Sequence, residues 1–270
     1  MTTVASDRSG TPLLACRNVT RRFGALVAVN NLSFELAAGE ILGIGGPNGA
    51  GKTTLFDVIS GFVPATEGAV LHRGEDISGM RPHRVCHHGL GRTFQLNAAF
   101  GTLTVFENVL AAAHFGQPKG LVSSVSFHRE AVDTTWEMLE FVGLKDRHDH
   151  VAGSLPVVDR KRVMIAAALA TQPDCLLMDE PVGGLNPGEI DQMLGLVRQV
   201  RDSGTAIILI EHVMRFLVSL SDRVLIMHHG ELLFLGEPAA MARDEKVAEV
   251  YLGRKAAQRI RDFVGAEARA

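Results

Sequence analysis

The sequence is poor in cysteine. No two of its three cysteines have the Cys-x-x-Cys spacing of a metal or redox site. This scarcity excludes a disulfide scaffold, so we predict buried or half-buried thiols in a reducing compartment at Cys16, Cys86 and Cys175. The 11 histidines lack zinc-ligand spacing as well. We interpret the neighbouring ones as solvated loop residues: His87 and His88, His148 and His150, and His228 and His229.

Long apolar runs are also missing. No stretch of 18 or more apolar residues occurs, which excludes a transmembrane helix, and the polar segment Met1–Pro12 lacks the apolar core of a signal peptide. We therefore expect a soluble, cytoplasmic chain that reaches a membrane only through a partner. The net charge is only −3, from 27 basic and 30 acidic residues, which argues against nucleic-acid binding.

The chain does contain enough apolar material for a large core. Its 270 residues, 46% of them hydrophobic, correspond to one large domain or two small ones and exclude disorder, collagen and coiled coil. Short β segments with a turn at Asn30-Asn31 come first, a helical region follows, and the last third alternates strands with helices. This order predicts an α/β fold with a parallel sheet covered on both faces.

The predicted elements follow from apolar periodicity and turn residues. The strands are Leu13–Val19, Leu26–Leu36, Ile41–Ile44, Cys175–Met178, Thr205–Ile210, Val224–Met227 and Leu232–Leu235. The helices are Lys52–Ser60, Val105–His114, Arg129–Val142, Arg160–Ala170, Pro187–Arg201 and Val213–Leu220, with a loose helix after Gly253.

A glycine-rich segment between a predicted strand and a predicted helix has the pattern G-x-x-x-x-G-K-[ST] of a phosphate loop. Its glycines let backbone N–H groups converge on phosphates, and the helix N-terminus adds its dipole. Lys52 is expected to reach the β- and γ-phosphates, and the Thr53 hydroxyl to bind Mg²⁺. The residues predicted to hold the nucleotide are Gly46, Pro47, Asn48, Gly49, Ala50, Gly51, Lys52, Thr53 and Thr54.

A second candidate motif is the apolar strand that ends in Asp179 and Glu180. An acid at the carboxyl end of a strand can hold Mg²⁺, usually through water, and this is the role we predict for Asp179. The adjacent Glu180 is then placed to polarise an attacking water. Together with a phosphate loop, the acid pair indicates hydrolysis of ATP.

With these motifs the chain resembles the nucleotide-binding subunits of ABC transporters, from about Leu13 to Gly253. The resemblance implies that the aromatic ring of Phe23 stacks on adenine. It gives Gln95, in Arg92-Thr93-Phe94-Gln95, the role of sensing Mg²⁺ and water and of coupling to the membrane domain. His212, after a predicted strand, then matches the histidine that contacts the γ-phosphate.

Within that family the chain is most similar to the larger ATPase of branched-chain amino acid importers. The segments that carry this likeness are Gly91–Gln95, Leu103–Val109, Gly184–Pro187 with Asn186 at the usual Asp position, Glu211-His212 and Val250–Gly253. The resemblance implies a P-loop ATPase domain over residues 13–253, with a helical subdomain at about 96–172 inserted in the core. It leaves a flexible N-terminus, 1–12, and a tail, 254–270.

One departure from the family is large. Where the family has Leu-Ser-Gly-Gly-Gln, this chain has Leu155-Pro156-Val157-Val158-Asp159. In the family this signature contacts the γ-phosphate of ATP bound to the other subunit. Pro156 supplies neither a hydroxyl nor an N–H, the valines stand where close approach favours glycine, and Asp159 adds a negative charge facing a polyanion. We expect this signature to bind phosphate poorly.

The resemblance and the poor signature together predict a heterodimer with a second ATPase whose signature is intact. The other expected partners are integral membrane permease subunits and, indirectly, a periplasmic solute-binding protein. Exposed Phe100, Leu103 and Phe106 are candidate permease contacts or core residues. Three alternatives stay open: an importer ATPase for urea, amides or aromatic acids, a soluble ABC ATPase without a permease, and a regulatory subunit that binds ATP with little turnover.

Overall fold

The predicted parallel sheet forms, and it has six strands. This computed structural model describes residues 11–94, 99–117 and 129–267. Five strands run parallel, and the last one pairs antiparallel at the edge. In spatial order the strands are β10 (Glu231–Gly236), β9 (Arg223–His228), β3 (Ile41–Gly45), β8 (Ala206–Ile210), β7 (Cys175–Asp179) and β6 (Leu90–Arg92). Strands β3, β7 and β8 are buried throughout, as expected for a sheet covered on both faces.

The N-terminal β segments form a second, antiparallel sheet of four strands. Its spatial order is β2 (Leu26–Leu36), β1 (Leu14–Phe23), β4 (Glu67–His72) and β5 (Glu75–Asp76). The predicted turn at Asn30-Asn31 is wrong, because β2 continues through it. A β-bulge absorbs the extra residue: Asn31 has φ +49° and its N–H donates to Oγ1 of Thr20 at 2.9 Å, so pairing with β1 resumes beyond it.

In the described part of the predicted helical region, three helices pack against one another. They are α3 (Val105–Phe115), α4 (Arg129–Phe141) and α5 (Val157–Ala170). Helix α3 begins at a capping box, in which Thr104 Oγ1 accepts the N–H of Glu107 and Oε2 of Glu107 accepts the N–H of Thr104. Helix α5 begins three residues before the predicted Arg160, because Pro156 is tolerated at its N-terminus.

The remaining helices cover the large sheet or follow it. They are α1 (Lys52–Ile59), α2 (Pro82–His87), α6 (Pro187–Asp202), α7 (Met214–Leu220), α8 (Pro238–Met241), α9 (Glu245–Val247) and α10 (Arg254–Glu267). Helix α6 begins at Pro187 because Asn186 and Glu189 form a second capping box. Helix α10 confirms the helix predicted after Gly253. A single π-helical turn, Ala248–Leu252, precedes it.

The core lies on both faces of the large sheet. One cluster of buried apolar side chains joins the sheet to α3–α7, and the other fills the space between the two sheets around α1. Cys16 and Cys175 lie in the second cluster, where burial raises the pKa of both thiols. Cys86 is half-buried, so the predicted burial of the three thiols is confirmed, while the reducing compartment stays a prediction.

The interpretation of the neighbouring histidines as solvated loop residues is wrong for His87, which lies on α2, for His228, which lies on β9, and for His88, which contacts other side chains. Nδ1 of His88 lies 3.1 Å from Nδ1 of the buried His72, and its Nε2 lies 2.9 Å from Glu75. His72 Nε2 is in turn 2.9 Å from Oδ1 of Asp174. These side chains link the β4–β5 hairpin to the large sheet.

Several predictions concern residues outside the described ranges. Gln95, most of the segment 1–12 and part of the region 96–172 are among them, so the domain boundaries stay predictions. Over the described ranges, no helix combines the length and the apolar character that crossing a bilayer requires.

Candidate functional site

The predicted phosphate loop connects β3 to α1. Its glycines are required by geometry: Gly46 has φ +143° and Gly51 has φ +98°. A Cβ on Gly46 would lie 2.2 Å from the carbonyl oxygen of Met227, and one on Gly51 would lie 2.1 Å from that of Ala28. Neither the conformation nor the space permits a side chain, so the loop path depends on both glycines.

Lys52, the first residue of α1, closes this loop. Its Nζ donates to the carbonyl oxygens of Gly46 at 2.8 Å and Pro47 at 3.0 Å. Burial lowers the pKa of Lys52, and the carboxylates of Glu180 and Asp179 act in the opposite direction. The ammonium is therefore held inside the loop, where it can neutralise phosphate oxygens. Of the two following residues, Thr53 is exposed and Thr54 is half-buried.

The two predicted acids lie at the carboxyl end of β7, which is the edge where ligands bind in parallel sheets. Asp179 is buried, and its burial raises its pKa, while the guanidinium of Arg92 lowers it; Nη2 of Arg92 lies 3.7 Å from Oδ2 of Asp179. Glu180 is half-exposed and has φ +50°. One acid is thus enclosed near the loop, and the other is open to solvent.

His212 reaches Glu180 from the end of the neighbouring strand β8. Its Nε2 lies 3.2 Å from Oε1 of Glu180. The buried carboxylate of Glu211 fixes this approach, because its Oε2 accepts the N–H groups of His212 at 2.9 Å and Val213 at 3.1 Å. Its Oε1 accepts the N–H of Val182 at 2.8 Å, so Glu211 joins the segment after β8 to the segment after β7. Burial raises the pKa of Glu211, and these N–H groups lower it.

Arg92 and Thr93 had no predicted role beyond their place in a motif. Nη1 of Arg92 donates to Asp57 at 2.7 Å and to Oγ of Ser60 at 2.8 Å, which ties β6 to α1. The N–H of Thr93 donates to the carbonyl of Leu177 at 2.9 Å. The backbone leading to Gln95 is therefore fixed to β7, while Gln95 itself lies outside the described residues.

Tyr251, from the C-terminal motif, lies against the phosphate loop. A Cβ on Gly45 would lie 3.2 Å from Cε1 of Tyr251. Burial raises the pKa of Tyr251, and the backbone N–H of Gly46 lowers it. The aromatic ring thus packs against the phosphate loop. Spacing along the sequence does not predict this contact.

Phe23 ends β1 and is exposed, with the guanidinium carbon of Arg21 4.4 Å from its ring centroid. Its exposed ring is available for stacking, but its place beside adenine stays a prediction.

The signature segment differs from expectation in where its charge lies. Asp159 is buried and pairs with Arg147 and with Arg162, whose Nη1 lies 3.5 Å from Oδ1. The expected repulsion of a partner's phosphate by Asp159 is therefore wrong, because two guanidinium groups compensate this carboxylate. Val158 is buried and Pro156 carries neither a hydroxyl nor an N–H, so the donors expected from a serine at position 156 are missing.

An apolar cavity of about 530 Å³ lies between α1, α2 and the helical region, beside Arg92. Phe62, Phe94, Phe100 and Phe115 line it and are exposed. Phe106 does not line this cavity. Its ring packs on Trp136, with centroids 4.8 Å apart, at the edge of the core, and its permease contact stays a prediction. Leu103 is half-buried.

A phosphate loop after the central strand, acids at the end of a neighbouring strand and a histidine on the next one define a P-loop nucleoside triphosphatase.

The family model for ABC transporters matches residues 29–183. The branched-chain amino acid transport ATP-binding protein LivG of Escherichia coli K12 is 38% identical over 250 residues, which cover 90% of this chain and 98% of that protein. BraF of Pseudomonas aeruginosa, of the same description, is 35% identical over the same shares.

Solved structures of ATP-binding cassettes are also similar to this chain. A nucleotide-free ATP-binding cassette from an ABC transporter has a TM-score of 0.82 and 31% identity, over 90% of this chain and 100% of that one. The ADP conformation of an ATP-binding cassette matches equally well. The chain belongs to the ABC transporter family, and it is a nucleotide-binding ATPase of that family.

Proposed function

We propose that this chain is the ATP-hydrolysing subunit of an importer for branched-chain or related amino acids. The support for the solute comes from the relatives, which are described as high-affinity branched-chain amino acid transport ATP-binding proteins. Transport requires membrane permease subunits, which would place the chain peripherally on the cytoplasmic face of the membrane. A periplasmic solute-binding protein would select the solute.

The observation that carries the ATPase role is the contact of Glu180 with His212 beside the phosphate loop. In the proposed reaction Glu180 orients and polarises the water, while Lys52 and His212 stabilise the γ-phosphate. Thr53 and Asp179 offer hydroxyl and carboxylate oxygens, the ligands that Mg²⁺ prefers, and would hold it with the phosphates. When bound, Mg²⁺ neutralises phosphate charge during the transfer.

We further propose that the working assembly is a heterodimer. The half-site of this chain is complete in its phosphate loop, acids and histidine. The signature of this chain is not complete. Pro156 stands at the serine position and supplies neither its hydroxyl nor its N–H, and the buried Val158 stands at a glycine position. A partner with an intact signature would complete the ATP site of this chain, whereas two copies of this chain would form two poor sites.

The apolar cavity beside Arg92 is the proposed docking site for a cytoplasmic segment of the permease. Four exposed phenylalanines line it, and few monomeric proteins leave such an apolar surface uncovered without a partner. Its position next to the segment that leads into Gln95 supports coupling between the ATP site and the permease.

The test measures steady-state ATPase activity of the full chain alone and mixed with a second ATP-binding subunit whose signature is intact. We expect little activity alone and a strong increase on mixing. Glu180→Gln in this chain should abolish the increase, whereas the control Glu245→Gln, at an exposed site, should not.

Brisk, cooperative hydrolysis by the chain alone would contradict the heterodimer. Activity on mixing that survives Glu180→Gln would favour a regulatory subunit that binds ATP without turning it over. If the reconstituted transporter takes up urea, amides or aromatic acids in place of branched-chain amino acids, the proposed solute is wrong.

A further inference from the structure

The helix that carries the signature also carries a buried lysine that the proposed mechanism does not use. Lys161 lies on α5, is 7% exposed, and its Nζ donates to the carbonyl oxygen of Glu180 at 2.7 Å. Burial lowers the pKa of Lys161, and the carboxylates of Glu211, Glu180 and Asp179 act to keep the ammonium charged. An ammonium buried this deeply persists only where partners compensate it.

The carbonyl that Lys161 binds belongs to a residue in an unusual conformation. Glu180 has φ +50°, which non-glycine residues adopt rarely and which persists only where the surroundings hold it. The N–H of Glu180 donates to the carbonyl oxygen of Ile210 at 2.9 Å. Its own carbonyl oxygen accepts from Nζ of Lys161 and from the N–H of Gly183 at 3.3 Å. The backbone is therefore held on both sides of its Cα.

This conformation decides where the carboxylate points. With it, Oε1 of Glu180 lies 3.2 Å from His212, and the side chain stays open to solvent, where a water can reach it. Release of the carbonyl would let Glu180 return to an ordinary backbone conformation and turn its carboxylate away from His212.

We propose that Lys161 is a positioning residue that holds Glu180 in its catalytic orientation and links it to the start of α5. The link rests on the proposed function, in which the segment Leu155–Asp159 faces the nucleotide of the partner subunit. Lys161 follows this segment by two residues on the same helix. A displacement of α5 on closure of the dimer therefore moves the group that holds this chain's own acid.

Helix α5 thus keeps a role although Pro156 offers neither a hydroxyl nor an N–H to a phosphate. The helix start cannot supply a hydroxyl to the partner's nucleotide, yet Lys161 on the same helix still contacts the acid of its own subunit. Contact with the partner's site through α5 would then regulate hydrolysis in the complete half-site.

The experiment uses the full chain assembled with its partner ATP-binding subunit. Lys161→Met keeps an unbranched side chain that is one atom shorter and removes the donor. We expect kcat to fall at least about tenfold, while the dissociation constant for a non-hydrolysable ATP analogue stays within about twofold. Lys161→Arg keeps a donor and should restore part of kcat. The control is Lys246→Met, at an exposed site on α9.

A double-mutant cycle separates positioning from general destabilisation. If Lys161 acts through Glu180, Lys161→Met should have less than about a twofold effect on single-turnover hydrolysis in a Glu180→Gln background. An equal loss in both backgrounds, or an unchanged kcat in Lys161→Met, would overturn the proposal. Full activity of Glu180→Gln alone would instead refute the proposed catalytic acid. If Lys161→Met does not fold, the same double-mutant cycle is measured with Lys161→Gln, and the same outcomes support or overturn the proposal.

Discussion

Nε2 of His212 and Oε1 of Glu180 lie 3.2 Å apart at the ends of two neighbouring parallel strands. In the pairing of β7 with β8, Asp179 lies opposite Ile210. The residues that follow the two strands therefore lie at the same edge of the sheet. The two side chains are therefore close enough to act on the same water and the same phosphate.

We expect His212→Ala to lower kcat by about 10²-fold, a size typical of losing one group that acts in proton transfer or charge stabilisation. ATP affinity should change little, because Lys52 and the phosphate loop remain. Steady-state kinetics of the assembled complex measure both quantities. His150→Ala, at an exposed position, is the control, and a His212→Ala variant with normal kcat would refute the role.

Lys52→Met should weaken ATP binding at least about tenfold, equivalent to about 1.4 kcal/mol. The reason is twofold: the variant loses the charge that neutralises phosphate, and it leaves the carbonyls of Gly46 and Pro47 without their donor. Isothermal titration with an ATP analogue measures the affinity. Lys145→Met, on the surface, should bind normally. Unchanged affinity in Lys52→Met would contradict the assignment of the loop.

Gly51→Ala and Gly49→Ala separate backbone strain from steric collision. Both glycines have positive φ, but a Cβ on Gly49 meets nothing within 4 Å, whereas one on Gly51 lies 2.1 Å from the carbonyl of Ala28. We expect a loss of unfolding free energy of about 1 kcal/mol for Gly49→Ala and clearly more for Gly51→Ala. Urea denaturation checks the difference, and equal losses would contradict the geometry of the loop.

Repair of the signature should let the chain hydrolyse ATP without a partner. The triple change Pro156→Ser, Val157→Gly and Val158→Gly restores a hydroxyl and the close approach of the backbone. Asp159 is left in place because Arg147 and Arg162 already compensate it. We expect ATPase activity of the chain alone to rise at least about tenfold despite some loss of stability. A folded repaired chain that stays inactive would contradict the explanation of the defect.

The ion pairs of Asp174 should make stability depend on pH. Burial acts to raise the pKa of Asp174, but His72 and Arg73 outweigh it, and its pKa lies below the ordinary value. A carboxylate with a depressed pKa stabilises the fold at neutral pH, and this contribution is lost as pH falls through the pKa in the folded state, below about 4.

Asp174→Asn should therefore cost about 1 kcal/mol of unfolding free energy at pH 7, and the difference from the original chain should shrink near about pH 3. Urea denaturation at the two pH values measures it. Asp202→Asn, in an exposed ion pair with Arg201, should show almost no effect at either pH. A loss for Asp174→Asn that does not depend on pH would show that the charge is unimportant.

Local patterns in the sequence predict much of this molecule. The phosphate loop is a run of consecutive residues whose bonds are made within the run, as the contact of Lys52 with Gly46 shows. Most strands and helices lie within a few residues of their predicted bounds, because apolar periodicity and capping residues act locally. The interpretation failed at Asn30-Asn31, where pairing with another strand turned an expected turn into a β-bulge.

The sequence by itself determined the class of protein, since the phosphate loop, the acid pair and His212 are recognisable in order along the chain. Only the tertiary structure decided which groups control them. The carboxylate of Asp159 is neutralised by Arg147, and the conformation of Glu180 is held by Lys161, through contacts between separate elements. Such contacts depend on how helices pack against the sheet. Burial strengthens the electrostatic interaction in each of them, and a local sequence pattern contains no information about burial between separate elements.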